Sequence, residues 1–346
     1  MTKRILLFVA TCFLFLLLIT VVFWYQVNRY LDTPLAITAE TNTITISNGT
    51  SFSKLAYKLA ERSVLSKPRW FVGYARLLDQ TNKIKAGEYF LEEGTTPRAL
   101  LHIVVSGKVV QHQITVIEGS TFREMLTEIA SQPKLESTLT ESSDDEIIER
   151  LGIEGEHTEG RFFPDTYNYN KGMSDVDILQ RAHRKMENVL STLWQKRDEK
   201  LPYKTPYDAL IMASIVEKET AVDTEREQIA GVFIRRLKKG MRLQTDPTVI
   251  YGLGSEYQGN LTRVHLKQLT PYNTYRIKGL PPTPIALPGQ RSIYAALHPD
   301  ESNSLYFVAK GDGTHMFADT LEQHNKNVDQ FQRKRRIKNY KSTPSH

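Results

Sequence analysis

The chain begins with a long apolar run, and the remainder alternates between strand-like and helix-like patterns. Between Arg4 and Arg29 there is no charged residue, and residues 5–25 are almost wholly Leu, Phe, Val and Ile. About 20 such residues cross a bilayer as a helix. The run is too long for the apolar part of a signal peptide, and no A-x-A-like cleavage site follows it. We therefore predict a retained membrane anchor over residues 5–27.

The residues that flank the run predict its orientation. Lys3 and Arg4 lie at the short N-terminal end, and positive flanks favour the cytoplasmic side. Trp24 and Tyr25 are aromatic residues of the kind found at the opposite interface. We therefore predict that residues 1–4 lie in the cytoplasm and that the chain from about Asn28 onward lies outside the cytoplasmic membrane.

Three phrases after the anchor share a glycine turn, a Ser or Thr able to cap a helix, and apolar residues at helical spacing. They begin at Asn48, Glu93 and Glu118, and each follows residues of strand-like character. Short strands and short helices in alternation predict a small α+β region over residues 40–132. This unit of strand, glycine turn and helix resembles LysM-like carbohydrate-binding modules. The alternative is a simple spacer, which would need the same turn and capping residues.

A polar, acidic segment at 133–149 marks the predicted domain boundary. After it, apolar residues recur at helical spacing in 175–200, 206–220 and 224–239. Beyond residue 240 Pro, Gly, Tyr, Asn and Thr are frequent, which suits loops and short strands that line a polar cleft. We predict a larger mixed α+β domain over residues 150–332, so the predicted fold class of the chain is α+β.

Composition narrows the classes of partner. The net charge is +6, and a basic tail over residues 333–346 holds six basic residues and no acidic one, so the preceding residues balance at 39 basic and 39 acidic. We therefore predict no nucleic-acid partner for the folded part. The only cysteine, Cys12, lies in the apolar run. The folded part of the chain therefore has no disulfide framework. The histidines are scattered and no H-E-x-x-H, P-loop or G-x-S-x-G motif occurs, so we predict neither a metal nor a cofactor.

The segment after Thr205 is the best candidate for chemistry. Residues 209–216 are apolar on nearly every face of a helix, which predicts a buried helix that ends at Glu217 and Glu219. A carboxyl group at the end of a core helix is partly desolvated, which raises its pKa and suits a general acid. Residues two apart lie about 200° apart on a helix, so the two glutamates cannot face one pocket. Spacing does not decide between them.

Three further segments combine acidic, amide and aromatic side chains, which is the inventory of a saccharide groove. Taken singly, each segment is also typical of an ordinary turn with packed aromatic residues. The candidate substrate-binding residues are Glu159, Asp165, Tyr167, Gln244, Thr245, Asp246, Tyr251, Asn273 and Tyr275.

The order and content of these motifs resemble the endolytic murein transglycosylase family (MltG, YceG-like). The motifs are EGRFFPDTY at 159–167, ASIVEKET at 213–220, RLQTDPTVIYG at 242–252, and YNTY at 272–275 with GLPP at 279–282. The resemblance implies a single-pass protein of the bacterial inner membrane, with a LysM-like region and a catalytic region in the periplasm. Proteins of wall synthesis are candidate partners.

The implied activity is cleavage within nascent peptidoglycan glycan strands, between N-acetylmuramic acid and N-acetylglucosamine, which leaves a 1,6-anhydro end. The family's catalytic glutamate falls on Glu219. In this reaction Glu219 protonates the glycosidic oxygen and then accepts the proton of the muramyl C6 hydroxyl, so no second carboxylate is needed. Two alternatives remain: a hydrolytic muramidase that uses Asp165 or Asp246 as its second carboxylate, and a membrane-anchored glycan-binding scaffold.

Overall fold

The structure is a computed structural model that describes residues 2–155 and 157–334. Most of the predicted basic tail, residues 335–346, therefore lies outside the described residues. The chain divides into two compact units. The first unit comprises the residues up to His112 together with Asn168–Met173, and the second comprises Gln113–Tyr167 and the residues from Ser174 onward.

Helices and two-stranded sheets make up both units, which confirms the predicted mixed α+β class. The described part of the first unit contains α1 (Thr2–Leu31), β1 (Thr43–Ile46), α2 (Phe52–Glu61), α3 (Pro68–Leu77), β2 (Gly87–Phe90) and α4 (Pro97–Ser106). The strands β3 (His112–Thr115) and β4 (Thr166–Tyr169) pair with each other, and the division between the units falls within them. The described part of the second unit further contains α5 (Phe122–Ala130), α6 (Asp144–Leu151), α7 (Asp175–Gln195), α8 (Pro206–Glu219), α9 (Arg226–Lys238), α10 (Asp246–Leu253), α11 (Arg263–Lys267), α12 (Gln290–Leu297), β5 (Tyr306–Ala309), β6 (His315–Ala318) and α13 (Leu321–Val328).

Helix α1 contains the apolar run and continues beyond it into the core of the first unit. Its stretch Ile5–Leu31 is long and apolar enough to cross a membrane. The side chains of the run are exposed, whereas Tyr30 and Leu31 are buried in the core. Among its described side chains, the apolar run is therefore exposed, and the C-terminal end of the helix packs into the core.

The remaining strands and helices of the first unit agree with the predicted glycine turns and helix caps. Strand β1 pairs antiparallel with β2, from Thr43 opposite Phe90 to Ile46 opposite Gly87. Ser51 caps α2 and Thr96 caps α4, and each side chain accepts a backbone N–H of the first turn. The caps satisfy donors that a helix end otherwise leaves without a partner.

Helix α8 lies at the centre of the second unit. Thr205 and Asp208 form a capping box at its start, and Pro206 occupies its first turn. Its residues 209–217 are all buried, and it packs against α7, α9 and α12. A helix that is apolar all round needs such neighbours on every side, and this packing holds its C-terminal end in a fixed position.

The boundary between the units differs from the predicted one. The third glycine and helix phrase, assigned from sequence to the region 40–132, belongs to the second unit, because Phe122 of α5 stacks on Phe162 with ring centroids 4.8 Å apart. The segment at 133–149 contains part of α6 and is not simply a linker. Helix α7 ends at Gln195, before the predicted residue 200, because the chain turns and the Asp198 N–H donates to the Leu297 carbonyl.

Candidate active site

A large cleft lies within the second unit. Its volume is about 1430 Å³, which is larger than the pockets of roughly 300–1,000 Å³ that hold most small ligands. Most of the predicted site residues lie on its wall, namely Glu159, Glu219, Gln244, Thr245, Asp246, Tyr251 and Tyr275. The cleft therefore gathers residues that are far apart in sequence around the end of α8.

Glu219 is the last residue of α8, and its side chain reaches the cleft wall. It is only partly accessible to solvent. The Thr245 hydroxyl donates a hydrogen bond to its Oε1. Burial raises the pKa of Glu219 to about 7, and the neighbouring Asp246 also raises it, whereas the Thr245 hydrogen bond and Arg236 oppose the shift. A substantial fraction of this carboxyl group is thus protonated at neutral pH, as a general acid requires.

Glu217 also lies on the cleft wall, so the expectation that the two glutamates cannot face one pocket is wrong, but its environment differs from that of Glu219. It is buried, its Oε2 accepts the Gly289 N–H at 2.9 Å, and its Oε1 lies 3.6 Å from Nη2 of Arg226. Arg226 also pairs with Asp223 and donates to Ser292 Oγ at 3.2 Å. The carboxylate of Glu217 is therefore committed to an internal ion pair, which distinguishes it from that of Glu219.

The segment 244–246 brings polar groups up to Glu219. Gln244 is exposed and has φ +53°, a left-handed conformation that is rare for residues other than glycine. Its N–H donates to the Thr274 carbonyl at 3.2 Å, and the Thr245 N–H donates to Thr274 Oγ1 at 3.1 Å. Asp246 accepts a hydrogen bond from the Tyr275 hydroxyl at 2.6 Å. Thr274 thus fixes the turn that places the Thr245 hydroxyl on Glu219.

A second buried carboxyl group, Glu159, supports an aromatic part of the wall. Its Oε1 accepts the Phe122 N–H at 3.0 Å and its Oε2 accepts the Tyr251 hydroxyl at 3.1 Å. Burial raises the pKa of Glu159 to about 7, although both hydrogen bonds lower it. The Tyr251 ring packs edge-on to Tyr272 at 5.0 Å. Gly252 permits this packing, because a Cβ there would lie 2.8 Å from Cβ of Tyr272.

Three predicted substrate-binding residues are not on the cleft wall. Asp165 forms an ion pair with Lys185, and the Tyr167 hydroxyl donates to the Phe163 carbonyl. The Asn273 side chain donates to the His265 carbonyl at 3.1 Å and the Gln268 carbonyl at 2.6 Å. These contacts hold local chain segments together away from the cleft wall, and the binding of substrate by the three residues stays a prediction.

Sequence reasoning missed two other features of the wall. Arg236 is buried, its guanidinium donates to the carbonyls of Leu305 and Leu243, and burial lowers its pKa. His315 pairs through Nδ1 with Glu225 Oε2 at 2.8 Å. Neither feature has a signal in the sequence, because the partners are up to 90 residues apart.

In the part of the chain that the structure describes, no group of three or more His, Cys, Asp or Glu side chains could hold a metal ion. The cleft instead presents hydroxyl, amide, carboxyl and aromatic groups, which are the groups that contact sugars.

Comparisons with known proteins identify the family to which the chain belongs. The sequence model of the YceG-like family matches residues 44–330. A protein of Bacillus subtilis (strain 168) named endolytic murein transglycosylase is 33% identical over 305 residues, which cover 83% of this chain and 84% of that protein. A protein of the same name from Streptococcus pneumoniae (strain D39) is 27% identical over 93% of this chain, and the match spans 64% of its length. The crystal structure of a yceG-like protein of Listeria monocytogenes has a TM-score of 0.52 and 31% identity, and the match covers 82% of this chain and 98% of that one.

Proposed function

Because this chain belongs to the YceG-like family, we propose that it is an endolytic murein transglycosylase that cleaves peptidoglycan glycan strands between N-acetylmuramic acid and N-acetylglucosamine. The observation that carries the proposal is Glu219, a carboxyl group with a pKa raised to about 7 on the wall of a large polar cleft. The size of the cleft suits a polymer, since it exceeds what a single small ligand needs.

The proposed reaction uses Glu219 twice. Protonated Glu219 donates its proton to the glycosidic oxygen, and the bond from that oxygen to muramyl C1 breaks as positive charge develops on C1. The muramyl C6 hydroxyl then forms a bond to C1 and gives its proton to the carboxylate of Glu219. The products are a free 4-hydroxyl on one sugar and a 1,6-anhydro ring on the other, and Glu219 is again protonated. Water is not consumed, so the step is that of a lyase.

The surroundings of Glu219 suit both halves of this cycle. Burial favours the protonated form that begins the reaction, while the Thr245 hydroxyl and the charge of Arg236 stabilise the carboxylate formed in the middle. A pKa near the working pH allows one group to act first as acid and then as base. Glu217 differs from Glu219 in its partner, because its Oε1 lies 3.6 Å from Nη2 of Arg226.

The residues proposed to bind glycan are those predicted from sequence that lie on the cleft wall. Gln244, Asp246 and Tyr275 form its polar side next to Glu219, and Tyr251 with Glu159 forms an aromatic side. The hydrolytic alternative is not favoured. Asp165 is outside the cleft wall, and Asp246 accepts the Tyr275 hydroxyl.

The location of the protein is part of the proposal. The apolar stretch of α1 supports a single span of the inner membrane, with residues 1–4 in the cytoplasm and the chain from about Asn28 onward in the periplasm. In the first unit, the order β1, α2, α3, β2 with an antiparallel strand pair supports a LysM-like module that contacts glycan. Association with proteins of wall synthesis is proposed from the substrate alone.

The decisive experiment is digestion of purified peptidoglycan in water enriched in heavy oxygen, followed by mass spectrometry of the fragments. The proposal predicts muramyl ends that are one water lighter than reducing ends and that carry no heavy oxygen. Glu219→Gln should release only a small fraction of the wild-type fragments, whereas Glu227→Gln, the same change at an exposed site on α9, should behave as the wild type.

Two results would contradict the proposal. Reducing ends that carry heavy oxygen would identify a hydrolytic muramidase. Retention of glycan without any cleavage by the wild-type protein would identify a binding scaffold.

A further inference from the structure

The first unit holds a tryptophan against the part of α1 that is proposed to cross the membrane. The ring of Trp70, in the first turn of α3, lies 5.8 Å from the ring of Phe23 and 5.8 Å from that of Tyr30, edge to face in both cases. Phe23 belongs to the exposed apolar run, whereas Tyr30 belongs to the folded core. Trp70 therefore lies at the level along α1 where the apolar run gives way to the core.

The rise per residue of an α-helix gives the depth of this contact in the membrane. Phe23 is 18 residues after Ile5, which corresponds to roughly 27 Å along the helix axis. The hydrocarbon core of a bilayer is about 30 Å thick. If the apolar run begins at the inner boundary, Phe23 lies close to the outer one, and Trp70 lies in the headgroup region, where tryptophan is enriched.

The charges beside Trp70 suit phosphate headgroups. Lys67 and Arg69 are exposed, and Nζ of Lys67 lies 3.9 Å from the centroid of the Trp70 ring. No acidic residue occurs from Arg62 to Leu78. A lysine can lay its apolar stem on a ring and keep its ammonium group among headgroups, and basic residues close to an anionic membrane surface are attracted to it.

Hydrogen bonds prevent this surface from turning away from α1. The guanidinium of Arg98 donates to Asp32 Oδ1 at 2.9 Å, to Asn28 Oδ1 at 3.2 Å and to the Tyr74 hydroxyl at 2.9 Å. These bonds join α3 and α4 to the last turns of α1, and Leu31 is buried beside them. The N-terminal end of α3 is thus fixed relative to the axis of the helix that would span the membrane.

We propose that residues 67–70, at the start of α3, form a membrane-docking surface that contacts the headgroups of anionic phospholipids in the outer leaflet. The inference rests on the proposed membrane span of α1. Its consequence is that the first unit is seated on the bilayer surface and does not hang on a free tether.

The test places single tryptophans in the full chain in vesicles of phosphatidylglycerol and phosphatidylcholine whose acyl chains are brominated near the headgroup. The chain has three tryptophans, at positions 24, 70 and 194. Trp24→Phe with Trp194→Phe leaves Trp70, and Trp70→Phe with Trp194→Phe leaves Trp24. We expect bromine to quench Trp70 about as strongly as Trp24. Lys67→Glu with Arg69→Glu should reduce the quenching of Trp70, whereas Lys54→Glu with Lys58→Glu, two exposed lysines of α2, should not.

The two tryptophans separate the possible failures. Quenching of Trp24 without quenching of Trp70 overturns the docking surface and leaves the membrane span intact. Absence of quenching at both positions overturns the span, and the docking surface with it. Equal loss of Trp70 quenching in both double charge reversals would remove the specific role of Lys67 and Arg69.

Discussion

The cores of the two units differ in what they bury. The described core of the first unit is almost wholly apolar, and Glu88 is its buried charged residue. The described core of the second unit holds six buried charged side chains, namely Glu159, Asp175, Glu217, Glu225, Arg226 and Arg236. Burial of an ionisable group costs free energy unless it is paired. Their concentration in one unit therefore marks where the chemistry lies.

Glu219 is not one of these six residues, because its side chain is partly accessible on the cleft wall, and its surroundings differ from those of Glu88. Glu88 lies 3.2 Å from Nζ of Lys171, which compensates its charge, and 3.4 Å from Nε2 of His112. Glu219 accepts a hydrogen bond from a neutral hydroxyl, and burial raises its pKa to about 7. The first carboxylate stabilises a fold, whereas the second retains a proton that can be transferred.

The largest effect is expected from Glu219→Gln. Loss of the general acid should reduce glycan cleavage by about 10²–10⁴-fold, because the amide cannot donate a proton of comparable acidity. The folded-state pKa of Glu219 is raised above its ordinary 4.5 to about 7, so ionisation destabilises the fold as pH rises from 4.5 through 7. The variant should therefore unfold no earlier than the wild type at pH 8, which thermal denaturation would measure.

The next effect concerns the buried ion pair of the second unit. Arg226→Met leaves the carboxylate of Glu217 buried without its cation, which should reduce the free energy of unfolding by about 3–5 kcal/mol. Glu217→Gln in the same chain should recover part of that loss, since the buried charge is then gone. Denaturant unfolding followed by Trp194 fluorescence measures the second unit. Equal stability of the single and double variants would contradict a structural role for this pair.

In the first unit the corresponding change is apolar. Leu59 is buried in its core, and Leu59→Ala should cost about 2–5 kcal/mol through lost packing. Unfolding followed by Trp70 fluorescence measures this unit. Cleavage of short soluble glycans should stay near the wild-type rate, because the cleft residues all belong to the second unit. A large loss of that activity with the first unit still folded would contradict the assignment of cleavage to the second unit alone.

Local features of both units could be predicted from sequence. The caps at Ser51, Thr96 and Thr121 and the bounds of α8 all depend on residues a few positions apart. Periodicity and capping act at that range, which explains why these features were predicted.

The orientation of the two glutamates could not be predicted in this way. Glu217 is fixed by the N–H of Gly289, which is 72 residues away, and Glu219 by Thr245, which is 26 residues away. Likewise, Asn273 belongs to the same motif as Tyr275 but turns toward the chain and not the cleft. Sequence spacing carries no information on such distant contacts, so only the family resemblance favoured Glu219.

A smaller effect is expected on the pH dependence. Activity should fall as pH rises through about 7, because Glu219 then loses the proton that it must donate. The Thr245 hydroxyl stabilises the ionised form, so Thr245→Val should raise the pKa of Glu219 and move the alkaline limb of kcat/KM upward by about one pH unit. Thr127→Val, at an exposed site on α5, is the control. If the alkaline limb did not move in Thr245→Val, it would reflect the ionisation of another group. Glu159, also with a pKa of about 7, is the first candidate.

The smallest effect is expected from Asp165→Asn, at one of the two aspartates that a hydrolytic muramidase would use as its second carboxylate. Asp165 and Lys185 are 39% and 44% exposed in their ion pair, and such surface pairs contribute about 0–1 kcal/mol. Burial raises the pKa of Asp165, but Lys185 more than offsets this and lowers it below 3.8, so the pair stabilises the fold above that pH and is lost as pH falls further. At pH 7 we expect a slight loss of stability and cleavage within about twofold of the wild type.

Asp246→Asn provides the matched comparison, because Asp246 lies on the cleft wall, raises the pKa of Glu219 and accepts the Tyr275 hydroxyl. Removal of its charge should lower the pKa of Glu219 and weaken cleavage at pH 7 by more than Asp165→Asn does. Rates measured on the same glycan decide between the two positions. If Asp165→Asn abolished cleavage while Asp246→Asn left it unchanged, the chemistry would depend on a carboxylate outside the cleft, and buried charge in the second unit would no longer mark its active site.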